Sequence, residues 1–591
     1  MKILLLTSVY NSMCQNIHSE LLWQKHEIYI ELADNDERIK ERVFSLDPEI
    51  VICPMLRTRI PEEVWRAYVC IIVHPGIKGD RGPSSLDWAI VEGQKEWGTT
   101  LMQATEKFDG GNIWSSNTFE MRPGSKSSIY RDEVVRCGVK CVLEIIERFK
   151  NGYFKPQPLE EVKNAKGSWH SYMKQDVRQI DWSSDTTANI LKKMNASDSV
   201  PGILDTINGK SYYLYGAHEE NSLFGKVPGE IIAKRTGAIC RATVDSSIWI
   251  SHLKEKQDDP HATFKLPATL VLGDSIQEVP EISVDLIHDH NSKTFKDIWY
   301  EEDDEIGYLY FEFYNGAMST EQCLRLKEAF LGIRRRKTKA IVLMGGRDFW
   351  SNGIHLNVIE AAEDPAKESW RNINAIDDLV HAILTTDSHI TISAMQGSAG
   401  AGGVMLGIAS DLVYMRPGLV LNPHYKSMGL YGSEYWTYLL PKRVGEQKAV
   451  ELTESCMPIC IKEAESIGLV DGILSHEETD TFREKVGRIA KSMVLSADFE
   501  QILENKNLSR EKDEASKSLA EYRASELEIM KQNFSSDEYH RLRKQFVRKI
   551  ISTETPIAFK QTPNIPTTLR RSLEKDFGLG PTNIEQITSN N

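Results

Sequence analysis

Short apolar runs alternate with longer amphipathic stretches along the first part of the chain. Apolar runs at 3–7, 49–53 and 69–73 predict buried strands, and the helical periodicity at 132–150 predicts a helix. Strands that alternate with helices are typical of an open α/β sheet, in which ligands bind beyond the carboxyl ends of the strands. We therefore predict an open, Rossmann-like α/β domain over residues 1–165.

The pattern changes twice more toward the C-terminus. Short β segments separated by Gly and Pro turns predict a small, OB-like β-barrel over residues 166–280. Apolar strands such as 340–344 and 390–394 alternate with helical runs and predict a second α/β domain over residues 281–490. The residues that follow, 491–591, are charged and partly amphipathic, and they predict a C-terminal helical extension. The predicted fold class is therefore a multidomain α/β protein.

Length, charge and cysteine content restrict the kinds of partner. At 591 residues the chain is too long for one hydrophobic core. The formal net charge of −14 disfavours nucleic acid, because binding to phosphate backbones needs a basic surface. No apolar run approaches the roughly 20 residues that span a bilayer, and the first apolar run is too short for a signal peptide. Nine cysteines without Cys-x-x-Cys spacing indicate free thiols in a reducing cytoplasm and no metal site.

The first candidate site lies where the strand at 69–73 ends. His74 is followed by Pro75, which stops the strand and leaves the imidazole at an opening. A histidine that titrates near neutral pH can exchange a proton with a transferring amine or thiol. Asp109 precedes two glycines in a turn, where its carboxylate can orient or charge that imidazole. The loop that carries Gln15 has no Gly-x-Gly-x-x-Gly pattern, so a dinucleotide is not indicated.

The residues around His74 resemble the folate-dependent formyltransferases. In that family Asn-x-His-Pro is followed by Arg-Gly, then by Gly-x-Thr-x-Met, and then by Leu-Asp-x-Gly. The matching segments here are 73–82, 98–103 and 108–113, and 180–182 is similar to the start of the family's C-terminal barrel. A histidine at a strand end is more often structural when it stands alone, but these surroundings favour catalysis.

The resemblance implies that His74 and Asp109 form the catalytic pair and that 10-formyltetrahydrofolate is the formyl donor. Three residues are placed around this cofactor: Gln15, Arg81 and Met102. One position departs from the family pattern, because Ile72 stands where the formyltransferases have their catalytic Asn. Losing such a hydrogen-bond donor typically lowers the rate by ~10²–10³-fold. Either another donor such as Gln15 takes over, or the acceptor is a thiol, which is easier to formylate than an amine.

The second candidate site is a glycine cluster at 397–403, which opens a predicted helix. Glycines allow two backbone N–H groups to approach a thioester oxygen closely, although tight helix packing also explains such a turn. Together with the loop at 349–356, the cluster resembles the crotonase (enoyl-CoA hydratase/isomerase) family. The resemblance implies that the amides of Ile354 and Gly402 bind the thioester oxygen. Two neighbouring glycines are implied to line the coenzyme A site: Gly353 and Gly403.

The two catalytic glutamates of the hydratases are missing, since their positions fall on Met405 and Tyr425. Without an acid and a base the site cannot add water to an enoyl chain, so we expect it to hold a thioester for another reaction. The run at 422–436 supplies the candidates Tyr425 and Glu434. A glutamate among apolar neighbours can act as a base, because burial raises its pKa.

Basic residues near the C-terminus are candidates for binding coenzyme A phosphates. Guanidinium groups form paired hydrogen bonds with phosphate oxygens. The candidates are Arg541, Arg543 and Arg548. A solvated helix face explains the same residues equally well.

A formyltransferase fused to a crotonase that lacks both glutamates resembles the HypX (HoxX) family of hydrogenase-maturation proteins over nearly the whole chain. The segments 73–82 and 422–426 are the most specific marks. The resemblance implies synthesis of carbon monoxide for the iron of NiFe hydrogenase. In that scheme the formyl group passes from 10-formyltetrahydrofolate to coenzyme A, and formyl-CoA then loses CO. Two alternatives stay open: an amine formyltransferase with a regulatory CoA-binding domain, and a non-catalytic scaffold for hydrogenase assembly proteins.

Overall fold

The three-dimensional structure is a computed structural model that describes residues 1–33, 35–152, 155–163, 165–287, 289, 292–475 and 481–550. The part of the predicted C-terminal extension beyond residue 550 lies outside these ranges. Within them, no helix combines the length and the apolar character needed to cross a membrane.

The N-terminal domain is built on an open six-stranded sheet, as predicted. Its strands are β1 (Lys2–Thr7), β2 (Glu27–Leu32), β3 (Ile50–Cys53), β4 (Cys70–His74), β5 (Glu96–Gln103) and β6 (Ile113–Glu120). Its helices are α1 (Ser12–Trp23), α2 (Asp36–Leu46), α3 (Glu62–Ala67), α4 (Ser85–Glu92), α5 (Lys126–Ile129) and α6 (Val135–Lys150). The strand order is β2-β1-β3-β4-β5-β6, with β1 to β4 parallel and β5 and β6 antiparallel. His74 therefore ends an inner strand of the sheet, at its carboxyl edge.

The second domain is an antiparallel sheet, consistent with the barrel-like domain that the sequence predicts. Its elements are α7 (Gln175–Arg178), α8 (Thr187–Ser197), β7 (Ile203–Ile207), β8 (Lys210–Glu220), β9 (Ile231–Arg235), β10 (Ala238–Ala242), β11 (Ser247–Glu255), β12 (Leu266–Pro267) and α9 (Ala268–Leu272). The strand order is β7-β8-β11-β10-β9, and β12 pairs with β11. Helix α8 packs against β8 and buries Ile190 and Met194 in the small core of this domain.

The third domain contains two sheets. Its strands are β13 (Ile298–Asp303), β14 (Ile306–Phe311), β15 (Ala340–Leu343), β16 (Phe349–Ser351), β17 (Ile390–Met395), β18 (Ser398–Gly400), β19 (Leu412–Met415), β20 (Val420–Asn422), β21 (Ile459–Cys460) and β22 (Gly472–Ile473). Its helices are α10 (Thr320–Ile333), α11 (Leu356–Ala361), α12 (Pro365–Leu384), α13 (Gly402–Ile408), α14 (Trp436–Val444), α15 (Glu446–Ser455) and α16 (Ile461–Ser466). The larger sheet has the order β13-β14-β15-β17-β19-β22 and the smaller β16-β18-β20-β21. Both glycine-rich loops of the second site lead out of the smaller sheet.

The C-terminal helices complete the core of the third domain. They are α17 (Phe482–Val494), α18 (Phe499–Ser516), α19 (Leu519–Phe534) and α20 (Asp537–Arg548). Helices α19 and α20 bury Met530, Phe534 and Tyr539 in the same hydrophobic cluster as Trp350 and Tyr425. Helices α19 and α20 of the predicted extension therefore pack against the core that holds Tyr425, whereas α17 and the start of α18 pack against the larger sheet in a separate cluster.

A group of ion pairs around the buried Asp132 joins the first and third domains. A turn of π-helix (Tyr130–Val134) leads into α6 and presents Asp132 to Arg136, Arg347 and Arg416 at 2.6, 2.9 and 2.8 Å. Burial raises the pKa of Asp132, but the three guanidinium groups outweigh it and hold the pKa well below its usual range. Because Arg416 also donates to the carbonyl of Gln396, beside the glycine cluster, this junction fixes the two halves against each other.

Candidate active sites

The first site brings His74 and Asp109 together, as the sequence predicts, and adds a second carboxylate. His74 Nε2 lies 2.8 Å from Asp80 Oδ2, and Nδ1 lies 3.8 Å from Asp109 Oδ2. All three side chains are buried. The imidazole is thus held between two carboxylates, one on each ring nitrogen.

A tight turn after β4 brings Asp80 back to the histidine. A Cβ on Gly76 would lie 2.3 Å from Asp80 Oδ2 and 2.5 Å from His74 Nε2, so only glycine leaves room for this contact. The backbone N–H of Asp80 donates to the carbonyl of Ile77 at 3.0 Å and closes the turn. Sequence reasoning missed Asp80, although the two glycines at 76 and 79 mark the turn that positions it.

The Asp109 carboxylate is held in a strained backbone conformation next to the imidazole. Its φ angle of 50° is rare for a residue with a side chain, and its carboxylate accepts a hydrogen bond from the N–H of Gly82 at 3.2 Å. Burial raises the pKa of Asp109, while His74 and the Gly82 N–H act in the opposite direction. A carboxylate with a raised pKa is a stronger base, which suits proton transfer at this site.

The remaining predicted residues of the first site lie on different sides of it. Met102 on β5 pairs with Ile72 on β4 and is buried. Arg81 follows Asp80, and its Nε is buried without a hydrogen-bond partner in the described part of the chain. Gln15 donates to the carbonyl of Tyr10 at 3.3 Å and accepts from the amide of Asn422 at 3.3 Å. Gln15 therefore faces the third domain.

The second site assembles the predicted residues at the ends of β16 and β18. Gly353 has a φ of 74°, and a Cβ built on it would lie 3.4 Å from the N atom of Gly402. Gly402 opens α13, so its N–H is one of the donors that a helix leaves free at its N-terminus. A Cβ on Gly403 would lie 2.0 Å from the carbonyl oxygen of Ser351, so glycine is required there too. Ile354 follows Gly353 directly, and this places both proposed donor amides on touching loops.

Tyr425 and Glu434 form a buried pair against this loop. The Tyr425 hydroxyl donates to Glu434 Oε2 at 3.0 Å, and both side chains are buried. The other carboxylate oxygen, Oε1, faces Gly402, where an added Cβ would lie only 1.9 Å from it. Burial raises the pKa of Glu434 well above its ordinary value, and the charge of Asp377 raises it further. Burial also raises the pKa of Tyr425, which therefore stays protonated.

Two further buried carboxylates hold the segment that carries Glu434. Glu434 and Tyr435 have φ angles of 58° and 60°, which side chains seldom adopt. Asp377 on α12 accepts from the N–H of Glu434 at 2.8 Å, and Glu526 on α19 accepts from the N–H groups of Tyr435 and Thr437 at 3.0 and 2.9 Å. Burial raises the pKa of both carboxyls to about 7. Neither residue is close to Glu434 in the sequence, so no local motif marks them.

The basic residues on α20 are mostly engaged in pairs within the protein. Arg543 and Arg548 both contact Glu360 on α11, at 2.9 and 3.2 Å. Arg548 also donates to the carbonyl of Ala262 at 2.7 Å and ties α20 to the second domain. Arg541 lies on the exposed face of the helix, 3.3 Å from Gln545. No group of three or more metal-ligating side chains occurs among the residues that the structure describes.

Two contacts join the first domain to the segments around the second site. The contact between Gln15 and Asn422 is one link, and the carbonyl of Asn422 accepts from the N–H of Ala401, next to Gly402, at 2.8 Å. Arg131 is a second link, because it pairs with Asp348 at 3.3 Å and its guanidinium lies 4.4 Å from the Phe349 ring centroid. Gln15 and Arg131 of the first domain therefore contact residues that lie next to the glycine-rich loops of the second site.

Comparisons with known proteins match this arrangement. The formyl transferase family matches residues 9–146, its C-terminal domain family matches 172–263, and the enoyl-CoA hydratase/isomerase family matches 313–552. The chain is 22% identical to methionyl-tRNA formyltransferase of Bacillus licheniformis over 211 residues, 35% of this chain and 66% of that protein.

Two proteins resemble the chain over almost its whole length. The hydrogenase maturation factor HoxX of Bradyrhizobium diazoefficiens is 42% identical over 561 residues, which cover 94% of this chain and 96% of that protein. The crystal structure of HypX from Aquifex aeolicus in complex with tetrahydrofolic acid is 45% identical, with a TM-score of 0.90 over 95% of this chain and 98% of that one. The chain therefore belongs to the HypX/HoxX family of hydrogenase maturation factors, with a formyltransferase N-terminal part and an enoyl-CoA hydratase-like C-terminal part.

Proposed function

We propose that the protein makes carbon monoxide for the iron of NiFe hydrogenase in two steps. The first site transfers a formyl group from 10-formyltetrahydrofolate to the thiol of coenzyme A, and the second site removes CO from formyl-CoA. The tetrahydrofolic acid bound to the Aquifex aeolicus relative supports folate as the ligand of the first site. The observation that carries the proposal is the buried Tyr425–Glu434 pair, whose carboxylate lies against Gly402.

The second step needs a base, an acid and little water. Loss of CO removes the formyl hydrogen as a proton, breaks the C–S bond and leaves a thiolate. Glu434 takes the proton from carbon, and Tyr425 gives its own proton to the departing sulfur. The protonated Glu434 then restores Tyr425 across their 3.0 Å hydrogen bond. The cycle takes up and releases no net proton, so a site closed to water can complete it.

The first step fits a thiol acceptor. Ile72 stands where the formyltransferases have their oxyanion donor, and its side chain cannot donate a hydrogen bond. A thiolate is intrinsically a stronger nucleophile than an amine, so it depends less on that donor. In this scheme Arg81 and Met102 contact the folate, and the amides of Ile354 and Gly402 bind the thioester oxygen.

Product analysis tests the whole scheme. The purified protein would be incubated with 10-formyltetrahydrofolate carrying a labelled formyl carbon, together with coenzyme A. Labelled CO trapped by deoxyhaemoglobin is the expected product, with CoA recovered unchanged. Labelled formate or a labelled formyl amine, without CO, would instead support the amine formyltransferase with a regulatory CoA domain.

Replacing Gly402 with Ala should block the second step alone. The new Cβ would lie 1.9 Å from Glu434 Oε1 and would push the carboxylate away from the thioester. Because a small displacement of a catalytic group can cost about 10²-fold, we expect CO release to fall by at least that factor. The measurement is single-turnover CO release from supplied formyl-CoA. Gly332 on α10 is a matched control, since a Cβ there meets nothing within 4 Å, and Gly332→Ala should leave CO release unchanged.

Replacing Asp377 with Asn should shift the pH dependence of CO release. Glu434 works as a base only when it is deprotonated, so the rate rises as pH increases through its pKa. The charge of Asp377 raises that pKa, and removing the charge lowers it. The acid limb of the pH–rate profile therefore moves to lower pH. Asp387→Asn is the control, because that exposed carboxylate lies just beyond the end of α12 and pairs with Arg334. If the acid limb of the pH–rate profile did not move in Asp377→Asn, the charge of Asp377 would not control the pKa of Glu434.

A further inference from the structure

A row of alternating carboxylates and imidazoles runs from the surface to the first site. His170 Nε2 lies 3.2 Å from Glu92 Oε1, and His170 Nδ1 lies 3.7 Å from Asp80 Oδ1. Asp80 Oδ2 then contacts His74 Nε2 at 2.8 Å, and His74 Nδ1 faces Asp109 at 3.8 Å. Each imidazole in the row has one carboxylate at each ring nitrogen, which is the arrangement that lets a proton enter on one side and leave on the other.

In the middle of the row, Asp80 and His170 each direct a polar atom without a hydrogen-bond partner toward the other. Asp80 is fully buried, yet its Oδ1 has no hydrogen-bond partner in the described residues, and the same holds for the buried Nδ1 of His170. A carboxylate that served only to hold the turn would be expected to have both oxygens hydrogen-bonded, because leaving a buried polar atom unpaired destabilises the fold. These two atoms face each other, and a shift of less than 1 Å brings them within hydrogen-bond distance.

The backbone holds His170 in this place. Residues 167–170 run beside the turn at 78–82, with hydrogen bonds from Gly167 N to Lys78 O, from Arg81 N to Ser168 O and from His170 N to Arg81 O, at 3.1, 3.1 and 3.0 Å. A Cβ on Gly82 would lie 2.0 Å from the His170 carbonyl oxygen, so the two segments touch. The His170 ring also stacks on Trp88, with the centroids 5.3 Å apart.

The outer end of the row is accessible to water and its inner end is not. The Glu92 side chain is 36% exposed and that of His170 is 19% exposed, whereas Asp80 has no exposed surface. The charged groups around the row are the two carboxylates at its ends, Asp80 within it, and Arg81 beside it. The row therefore connects solvent to the face of His74 that points away from Asp109.

We infer that Glu92, His170 and Asp80 form a proton relay that supplies His74 from solvent during formyl transfer. The inference rests on the proposed function of the first site. The thiol of coenzyme A first releases its proton to water. Its thiolate then attacks the formyl carbon, so the C–S bond forms, the bond from carbon to the donor nitrogen breaks, and that nitrogen takes one proton in place of the one that the thiol released. His74 provides the proton on its Nδ1 side, together with Asp109. It regains one at Nε2 from Asp80, which is resupplied through His170 and Glu92 by water.

Chemical rescue of a His170 variant tests the relay. His170→Ala should lower the rate of formyl transfer to CoA by up to ~10²-fold, the lower end of what acid–base groups contribute, with KM for the folate unchanged. Added imidazole should restore the rate in proportion to its concentration, because it can carry the proton to Asp80. In the His170→Ala, Asp80→Asn double variant imidazole should have no effect, since the next carrier is gone.

Controls separate this relay from a structural role and from the function of the site. His261→Ala removes an exposed histidine elsewhere and should change neither the rate nor its response to imidazole. Equal unfolding temperatures and equal CO release from supplied formyl-CoA would show that the His170 variant is folded. Full activity of His170→Ala, or a loss that imidazole does not restore, would overturn the relay. An unmodified protein that forms no formyl-CoA at all would instead overturn the proposed function.

Discussion

Glu434→Gln is expected to lower CO release from formyl-CoA by ~10²–10⁴-fold, the usual contribution of a general base. Glutamine keeps the shape of the side chain and can still accept the hydrogen bond from Tyr425, but it cannot take the formyl proton. The first site does not contain Glu434, so formyl-CoA should still form and should accumulate. The measurements are CO trapped by deoxyhaemoglobin and formyl-CoA detected by mass spectrometry in the same reaction. Measuring CO and formyl-CoA in the same reaction separates a chemical defect from a folding defect.

An exposed glutamate provides the comparison for this variant. Glu446 opens α15 on the surface of the same domain, and Glu446→Gln should release CO at the unmodified rate. If Glu434→Gln also released CO at the unmodified rate, Glu434 would not be the base. Tyr425→Phe would then show whether the tyrosine acts alone. Loss of formyl-CoA formation in Glu434→Gln would instead show that the two sites do not divide the reaction as proposed.

In the first site, the sequence predicted the two residues whose immediate neighbours in the chain mark them. His74 ends an apolar strand, and Asp109 stands before two glycines, so both carry local marks. Asp80 is marked only by the glycines of its turn, and His170 carries no local mark. Asp80 reaches His74 through a turn that only glycine at 76 permits, and His170 reaches Asp80 through a pairing between segments almost 90 residues apart. Contacts of that kind are set by tertiary packing, which periodicity does not describe.

The second site likewise combines residues that the sequence marks with residues that only tertiary packing brings in. The glycine loops and the dense run at 422–436 led to Gly402, Tyr425 and Glu434, and the structure places these three together. Glu526 could not be found from the sequence, because the other charged residues of its helix are exposed or, like Arg523, only partly buried. Its burial follows from how α19 closes the core over the segment that carries Glu434. The charge on this helix therefore belongs partly to the active site and partly to the surface.

His74→Ala is expected to abolish formyl transfer while leaving the second step intact. Removing the imidazole takes away the proton donor and leaves Asp80 and Asp109 without the ring that lies between them, so transfer should fall by ~10²–10⁴-fold. His74→Gln keeps a hydrogen-bond donor toward Asp80 but cannot relay protons, and it should be equally inactive yet better folded. CO release from supplied formyl-CoA should be unchanged in both, with His261→Ala as the exposed-loop control. A non-catalytic scaffold requires the opposite outcome, namely hydrogenase maturation at the normal level in cells that carry His74→Ala.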